Sequence, residues 1–284
     1  MTAKNVAAIY TLSPQQQGML FDTLQLSDSG VHIEQKVYVL RGELDVPAFE
    51  KAWQCLTERH SILRTGFVWK SQDEPLQCVL HQVDLRLMKH DWRTLSEEQQ
   101  REHLQEYLEE DRKQGFELAK PPLMRLALFQ MRNQEHHLVL THHHIVLDGW
   151  CRPIMDEEVR NLYDGFCKGE VTHLPPTRPY RDYIVWLKRQ NLSKAEEFWR
   201  GVLNGISEPT PLGTETATID DAHGAGFGEL RIQLPESTAA ALKQLARQHH
   251  VTLNTLVQGL WAIMLSRYSG SKDVIFGTTV SGRP

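Results

Sequence analysis

Two β-rich runs, residues 123–131 and 137–144, are separated by the polar turn Arg132-Asn133-Gln134-Glu135. Runs of this length with so short a polar connection pair as a β-hairpin. The second run ends in Thr141-His142-His143-His144 and passes through Ile145-Val146-Leu147 into Asp148-Gly149-Trp150. Histidine is neither a strong strand former nor cheap to bury without a partner, so three in a row at a strand end need a reason.

Around the hairpin, helices and strands interleave. Ser13-Pro14 starts a helix, with Ser at the cap and Pro at its first position. A short strand over 37–40 precedes Asp45, which caps a helix carrying Pro47 near its start and the stripe Phe49, Trp53 and Leu56. Segments 62–69, Leu76–Leu80 and 85–88 read as strands. Ser96 with Gln99 forms a capping box for a charged helix to about Gln114, its apolar face being Leu104, Tyr107 and Leu108. After Asp148-Gly149 comes a helix over 153–166, with Ile154, Met155, Val159, Leu162 and Tyr163 facing the core. The Pro-rich segment 174–179 is a breaker. Helices over 180–190 and 193–203 follow, then a Gly/Thr/Pro/Asp-rich loop over 205–228. A strand over 230–234, helices over 235–249 and 252–268, and a strand over 274–280 finish the chain. Such alternation favours an α/β fold of the α+β two-layer kind over a bundle or a β-sandwich.

The 284 residues correspond to about two domains, or one large one. With 31 basic and 36 acidic residues the formal charge is −5, which gives no pull toward nucleic acid or anionic membrane. Mean hydropathy is −0.43, and no run approaches the ~20 apolar residues of a membrane helix. The opening MTAKNVAAIYTL lacks a signal-peptide pattern. Cys55, Cys78, Cys151 and Cys167 are scattered without CxxC spacing and read as reduced thiols of a cytoplasmic protein.

Strand alternation would send His142 and His144 to one face and His143 to the other. A metal site needs three or four converging ligands; that alternation splits the histidines, and no cysteine pair completes a set. An imidazole that orients a substrate or takes its proton fits the residue type, since histidine titrates near neutrality. A polar strand end with solvated histidines fits the pattern equally well. Gly149 is expected to permit a turn that bulkier residues would resist.

The run His143-His144-Ile145-Val146-Leu147-Asp148-Gly149 resembles the HHxxxDG signature of the condensation domains of nonribosomal peptide synthetases. Four further segments, in the family's order, strengthen the resemblance. Leu12-Ser13-Pro14-Gln15-Gln16-Gln17-Gly18-Met19-Leu20-Phe21 looks like the opening motif, and Arg59-His60-Ser61-Ile62-Leu63-Arg64-Thr65-Gly66-Phe67 is similar to RHxxLRTxF. Tyr180-Arg181-Asp182-Tyr183-Ile184-Val185-Trp186 resembles YxDxxxW. Phe276-Gly277-Thr278-Thr279-Val280-Ser281-Gly282-Arg283-Pro284 looks like the GTxVSGRP segment of the second lobe.

The resemblance implies a chloramphenicol-acetyltransferase-like fold, two lobes in a V around a tunnel. Residues 1–175 would be the complete first lobe and 176–284 the beginning of a second that family members carry further. It implies an acyltransferase that joins a donor acyl or peptidyl thioester to the amine of an acceptor aminoacyl thioester. Donor and acceptor peptidyl carrier proteins would deliver the substrates on phosphopantetheine arms, beside an adjacent adenylation domain, with no intrinsic cofactor or metal. His144 would be the imidazole nearest the amine, with His143, Asp148 and Gly149 completing the motif. Arg64 would support the site by a buried ion pair with Asp148, and Trp150 would stand beside it.

Overall fold

The computed structural model describes residues 5–26, 30–70, 74–211 and 232–280. The chain divides into two compact units, Met1–Gln190 and Asn191–Pro284.

The first unit holds two sheets. β1 (Val6–Thr11), β3 (Thr65–Val68) and β4 (Leu76–Leu80) form an antiparallel sheet in the order β1-β4-β3. β2 (Ile33–Arg41), β5 (Leu87–Asp91), β6 (Met124–Arg132) and β7 (Glu135–His143) form the other, in the order β2-β7-β6-β5. The expected hairpin is β6–β7, antiparallel from Met124↔His142 to Arg132↔Glu135. β2 pairs along the other side of β7, so the strand that ends in the histidines is internal to its sheet.

Helices α1 (Pro14–Gln25), α2 (Val46–Arg59), α3 (Glu97–Gln114), α4 (Cys151–Lys168) and α5 (Tyr180–Lys188) complete this unit. Their starts follow from local chemistry. Ser13 Oγ accepts from Gln16 N–H while Gln16 Oε1 accepts from Ser13 N–H, and Ser96 with Gln99 repeats the arrangement. Asp45 caps α2 through Ala48 N–H. The main core joins Phe49, Trp53 and Leu56 of α2, Met155, Val159 and Leu162 of α4, and Leu126, Leu128, Leu138 and Leu140 of the hairpin. Leu104, Tyr107 and Leu108 of α3 cover the hairpin residues Ala127, Phe129, Met131 and Val139 in a separate cluster.

Several elements depart from the sequence expectation. Residues Val6–Thr11, within the opening stretch that lacks a signal-peptide pattern, form the strand β1. The segment from Ile62 starts as a 3-10 turn over Ser61–Arg64 because Leu63 N–H bonds back to His60 O and Thr65 Oγ to Ser61 O; strand begins only at Thr65. Ile154 is exposed rather than in the core. α5 lies within the first unit, with Ile184 buried.

The second unit contains α6 (Leu192–Val202), α7 (Glu236–Gln248) and α8 (Leu253–Ser269). Residues 274–280 form no strand. The backbone N–H and C=O of Ile275 are both taken by the Thr210 hydroxyl, at 2.7 and 3.1 Å, in place of a neighbouring strand. Of the strand expected over 230–234, residues 232–234 are not in a strand and the rest lie outside the described residues, as does most of the 205–228 loop and the end of the GTxVSGRP segment.

Candidate active site

β7 delivers the three histidines to one end of the sheet, and packing sorts them. His142 lies in register between Glu34 of β2 and Met124 of β6 and is buried. Its Nδ1 has no hydrogen-bond partner among the described residues. Burial first, then the nearby His144 and Arg152, push its pKa down to about 4.

His143 is completely enclosed. Its Nδ1 accepts the Ile145 N–H at 3.1 Å, which places the ring proton on Nε2. Nε2 then donates to Thr23 Oγ at 3.0 Å, and that hydroxyl donates to Met19 O at 2.7 Å. Burial, with smaller effects from His32, His144 and His142, lowers its pKa to about 3. His143 is therefore a neutral strut between α1 and the turn after the strand.

His144 alone of the three keeps partial exposure. Its N–H bonds to His32 O at 2.8 Å, while its Nδ1 is buried without a hydrogen-bond partner among the described residues. The next three residues, Ile145, Val146 and Leu147, are buried in the main core and fix the loop by packing. Asp148 then turns the chain into α4: its Oδ1 accepts the N–H groups of Trp150 and Cys151, both at 3.0 Å, and its carbonyl accepts the Cys151 N–H at 3.1 Å. A carboxylate at a helix N-terminus answers both the orphan N–H groups and the helix dipole.

Two expectations about neighbours need correction. Arg64 makes no ion pair with Asp148; its Nη1 donates to the carbonyls of Leu80 and His81 at the end of β4, and its Nε is buried without a partner among the described residues. Lying on the turn into β3, which pairs with β4, it closes the end of the adjacent strand. Gly149 is not required by its turn, because its φ is outside the left-handed region and a Cβ built there meets nothing within 4 Å. What glycine leaves at this point is open space. Trp150 is exposed.

The structure adds His32, which no local pattern marks, and gives contacts to Gln16, Arg59 and His60 of the quoted segments. His32, on the approach to β2, has a φ of 63° and places its ring 6.0 Å from that of His143, with Nε2 3.2 Å from Asp22 Oδ2. Gln16 Nε2 donates to Ile145 O at 3.2 Å. Arg59 and His60 converge on Glu158 Oε2 of α4 at 3.2 and 2.6 Å, so this pair of the RHxxLRTxF segment clamps α4 to α2. Among the described residues no group of three or more His, Cys, Asp or Glu could hold a metal ion, and no helix is long and apolar enough to cross a membrane.

A family model described as "Condensation domain" matches residues 6–284. The chain belongs to the condensation-domain family. It is 44% identical over 284 residues to one of the linear gramicidin synthase proteins of Brevibacillus parabrevis, covering 99% of this chain and 6% of that protein. It is 34% identical to bacitracin synthase 1 of Bacillus licheniformis, covering 99% of this chain and 5% of that one. The chain thus spans only a small part of the curated relatives it matches. Among solved structures, the first condensation domain of the calcium-dependent antibiotic synthetase superposes with a TM-score of 0.73 at 19% identity, covering 95% of this chain and 64% of that one. The starter condensation domain of rhizomide synthetase gives a TM-score of 0.68 at 20% identity, covering 98% and 64%. The architecture is the α/β, chloramphenicol-acetyltransferase-like fold of condensation domains.

Proposed function

We propose that this condensation-domain chain carries the histidine site of a peptide-bond-forming acyltransferase within a nonribosomal peptide synthetase. Its first unit would be the lobe that bears the site. The acceptor amine attacks the donor thioester carbonyl, a C–N bond forms, the C–S bond breaks, and the amine proton ends on the released thiol. The donor and acceptor ride on the phosphopantetheine arms of two carrier proteins, with an adenylation domain alongside. One observation carries the choice of residue: of the three consecutive histidines, His142 and His143 are enclosed, and His144 is the one left partly exposed. In this reading His144 takes a hydrogen bond, or the proton, from the attacking amine. His143 and Asp148 hold the loop, and Gly149 leaves room for the substrate.

The test is single-turnover condensation between two loaded carrier proteins by a synthetase module containing this chain, paired with carrier-binding measurements. His144→Ala should lower the rate about 10²–10⁴-fold and leave carrier binding intact. Near-normal turnover would overturn the assignment.

A further inference from the structure

The ring of His144 has no hydrogen bond at Nδ1 among the described residues, so its direction is set through the backbone on either side. On one side its own N–H is held by His32 O at 2.8 Å. On the other stands Ile145, whose N–H goes to His143 Nδ1 at 3.1 Å and whose carbonyl takes the Gln16 amide at 3.2 Å. Both main-chain groups of the residue after His144 are thus gripped by side chains rather than by a sheet partner.

Gln16 is only 3% exposed, and its amide is divided between two tasks. Its Oε1 accepts from Ser13 N–H and from Gln77 Nε2, each at 3.0 Å; Gln77 is fully buried and also donates to Thr11 O at 3.0 Å. Its Nε2 crosses 129 residues of sequence to the Ile145 carbonyl. The first task does not explain the residue type, because a capping box is closed as well by Glu as by Gln. Only the second needs a donor, and only an uncharged one is cheap to bury at this place.

We propose that Gln16 is a positioning residue for His144, a latch from the start of α1 that fixes the peptide after the histidine and through it the direction of the ring. The proposal rests on His144 being the imidazole of the reaction, and its test is read without turnover. Amide exchange and His144 side-chain rotamer averaging are followed by NMR in the full 284-residue chain and in two variants, Gln16→Glu and Gln16→Leu.

In Gln16→Glu the cap survives, but the ionised carboxylate faces the Ile145 carbonyl with no proton to donate. Protection of the His144, Ile145 and Val146 amides, corrected for intrinsic exchange, should fall about 5- to 150-fold, the effect of orphaning one buried group. Phe129 N–H in β6 should keep its protection. As the pH is lowered the new carboxyl takes up a proton, its O–H again reaches Ile145 O, and local protection and a single His144 rotamer return. Gln16→Leu should show the local loss at every pH. Unchanged local protection and rotamer in Gln16→Glu would overturn the latch. So would an equal loss at Phe129 that acid does not reverse, since Gln16 would then be an ordinary core group. A wild-type chain with the latch intact, but with no His144 dependence of condensation in the complete module, would overturn the functional reading instead.

Discussion

Acidification from about pH 7 to about pH 5 should destabilise the first unit through His142 and His143. Both imidazoles start from an ordinary value of 6.5, and burial holds them at about 4 and about 3 in the folded chain. Above the unfolded value neither state binds the proton and stability is unaffected. Below it the unfolded chain takes up protons that the folded chain refuses, and stability falls by about 1.4 kcal/mol per pH unit for each group until the folded value is reached. At about pH 5 the loss is about 2 kcal/mol per histidine, a large fraction of the ~5–15 kcal/mol that holds a typical domain. The assay is urea unfolding at a series of pH values, followed by hydrogen exchange in the β6–β7 peptides. The comparison is with His143→Asn, whose amide oxygen can still accept from Ile145 N–H in place of Nδ1, and with His142→Gln. Each variant should lose about half of the pH-dependent destabilisation, whatever its cost at neutral pH. If both variants keep the wild-type dependence on pH, the enclosed histidines are not the source and the burial argument fails.

Gly149→Ala should change stability by less than about 0.5 kcal/mol, because neither φ nor space forbids a Cβ there, yet it should lower condensation by filling the open position. Urea midpoints and single-turnover rates together decide it: a large stability loss would show that the backbone does need glycine. Glu158→Ala should cost about 2–3 kcal/mol, somewhat less than the ~3–5 of a fully buried pair, because the three side chains keep 12–21% exposure. Glu158→Gln, which retains an acceptor for Arg59, should recover part of that loss in the same unfolding assay.

Where the determinants are local, the fold is legible in the sequence. Ser13 with Pro14, Asp45, and Ser96 with Gln99 each mark a helix start that the structure realises, and the stripe Phe49, Trp53, Leu56 is the face that α2 buries. The β6–β7 hairpin is legible for the same reason, its pairing being set by a turn of a few residues. What escapes is what depends on distant partners. Residues 274–280 have strand-like composition, but pairing is a property of the neighbour, and there Thr210 takes the backbone groups. The HHxxxDG match points to the right loop, but not to Gln16, Thr23 or His32, which reach it from far along the chain. The Arg64–Asp148 pair that the resemblance implies is not formed, because Arg64 turns to the carbonyls of Leu80 and His81 while Asp148 Oδ1 accepts two backbone N–H groups at the head of α4.

That use of Asp148 bears on what His144 does in the proposed reaction. In a Ser-His-Asp arrangement the carboxylate accepts the proton on the far ring nitrogen and stabilises the imidazolium that forms. Here the motif's own carboxylate faces the start of α4, and Nδ1 of His144 is buried with no acceptor against it among the described residues. Among the described residues nothing accepts from that far nitrogen, so the ring is not held by a carboxylate behind it. An imidazole held by its backbone can accept a hydrogen bond from an amine and aim the lone pair of the nitrogen at a carbonyl, a task of orientation. The rigid clamp from His32, His143 and Gln16 suits that task. On this argument the loss in His144→Ala is chiefly lost positioning and should lie nearer the lower end of the ~10²–10⁴ range.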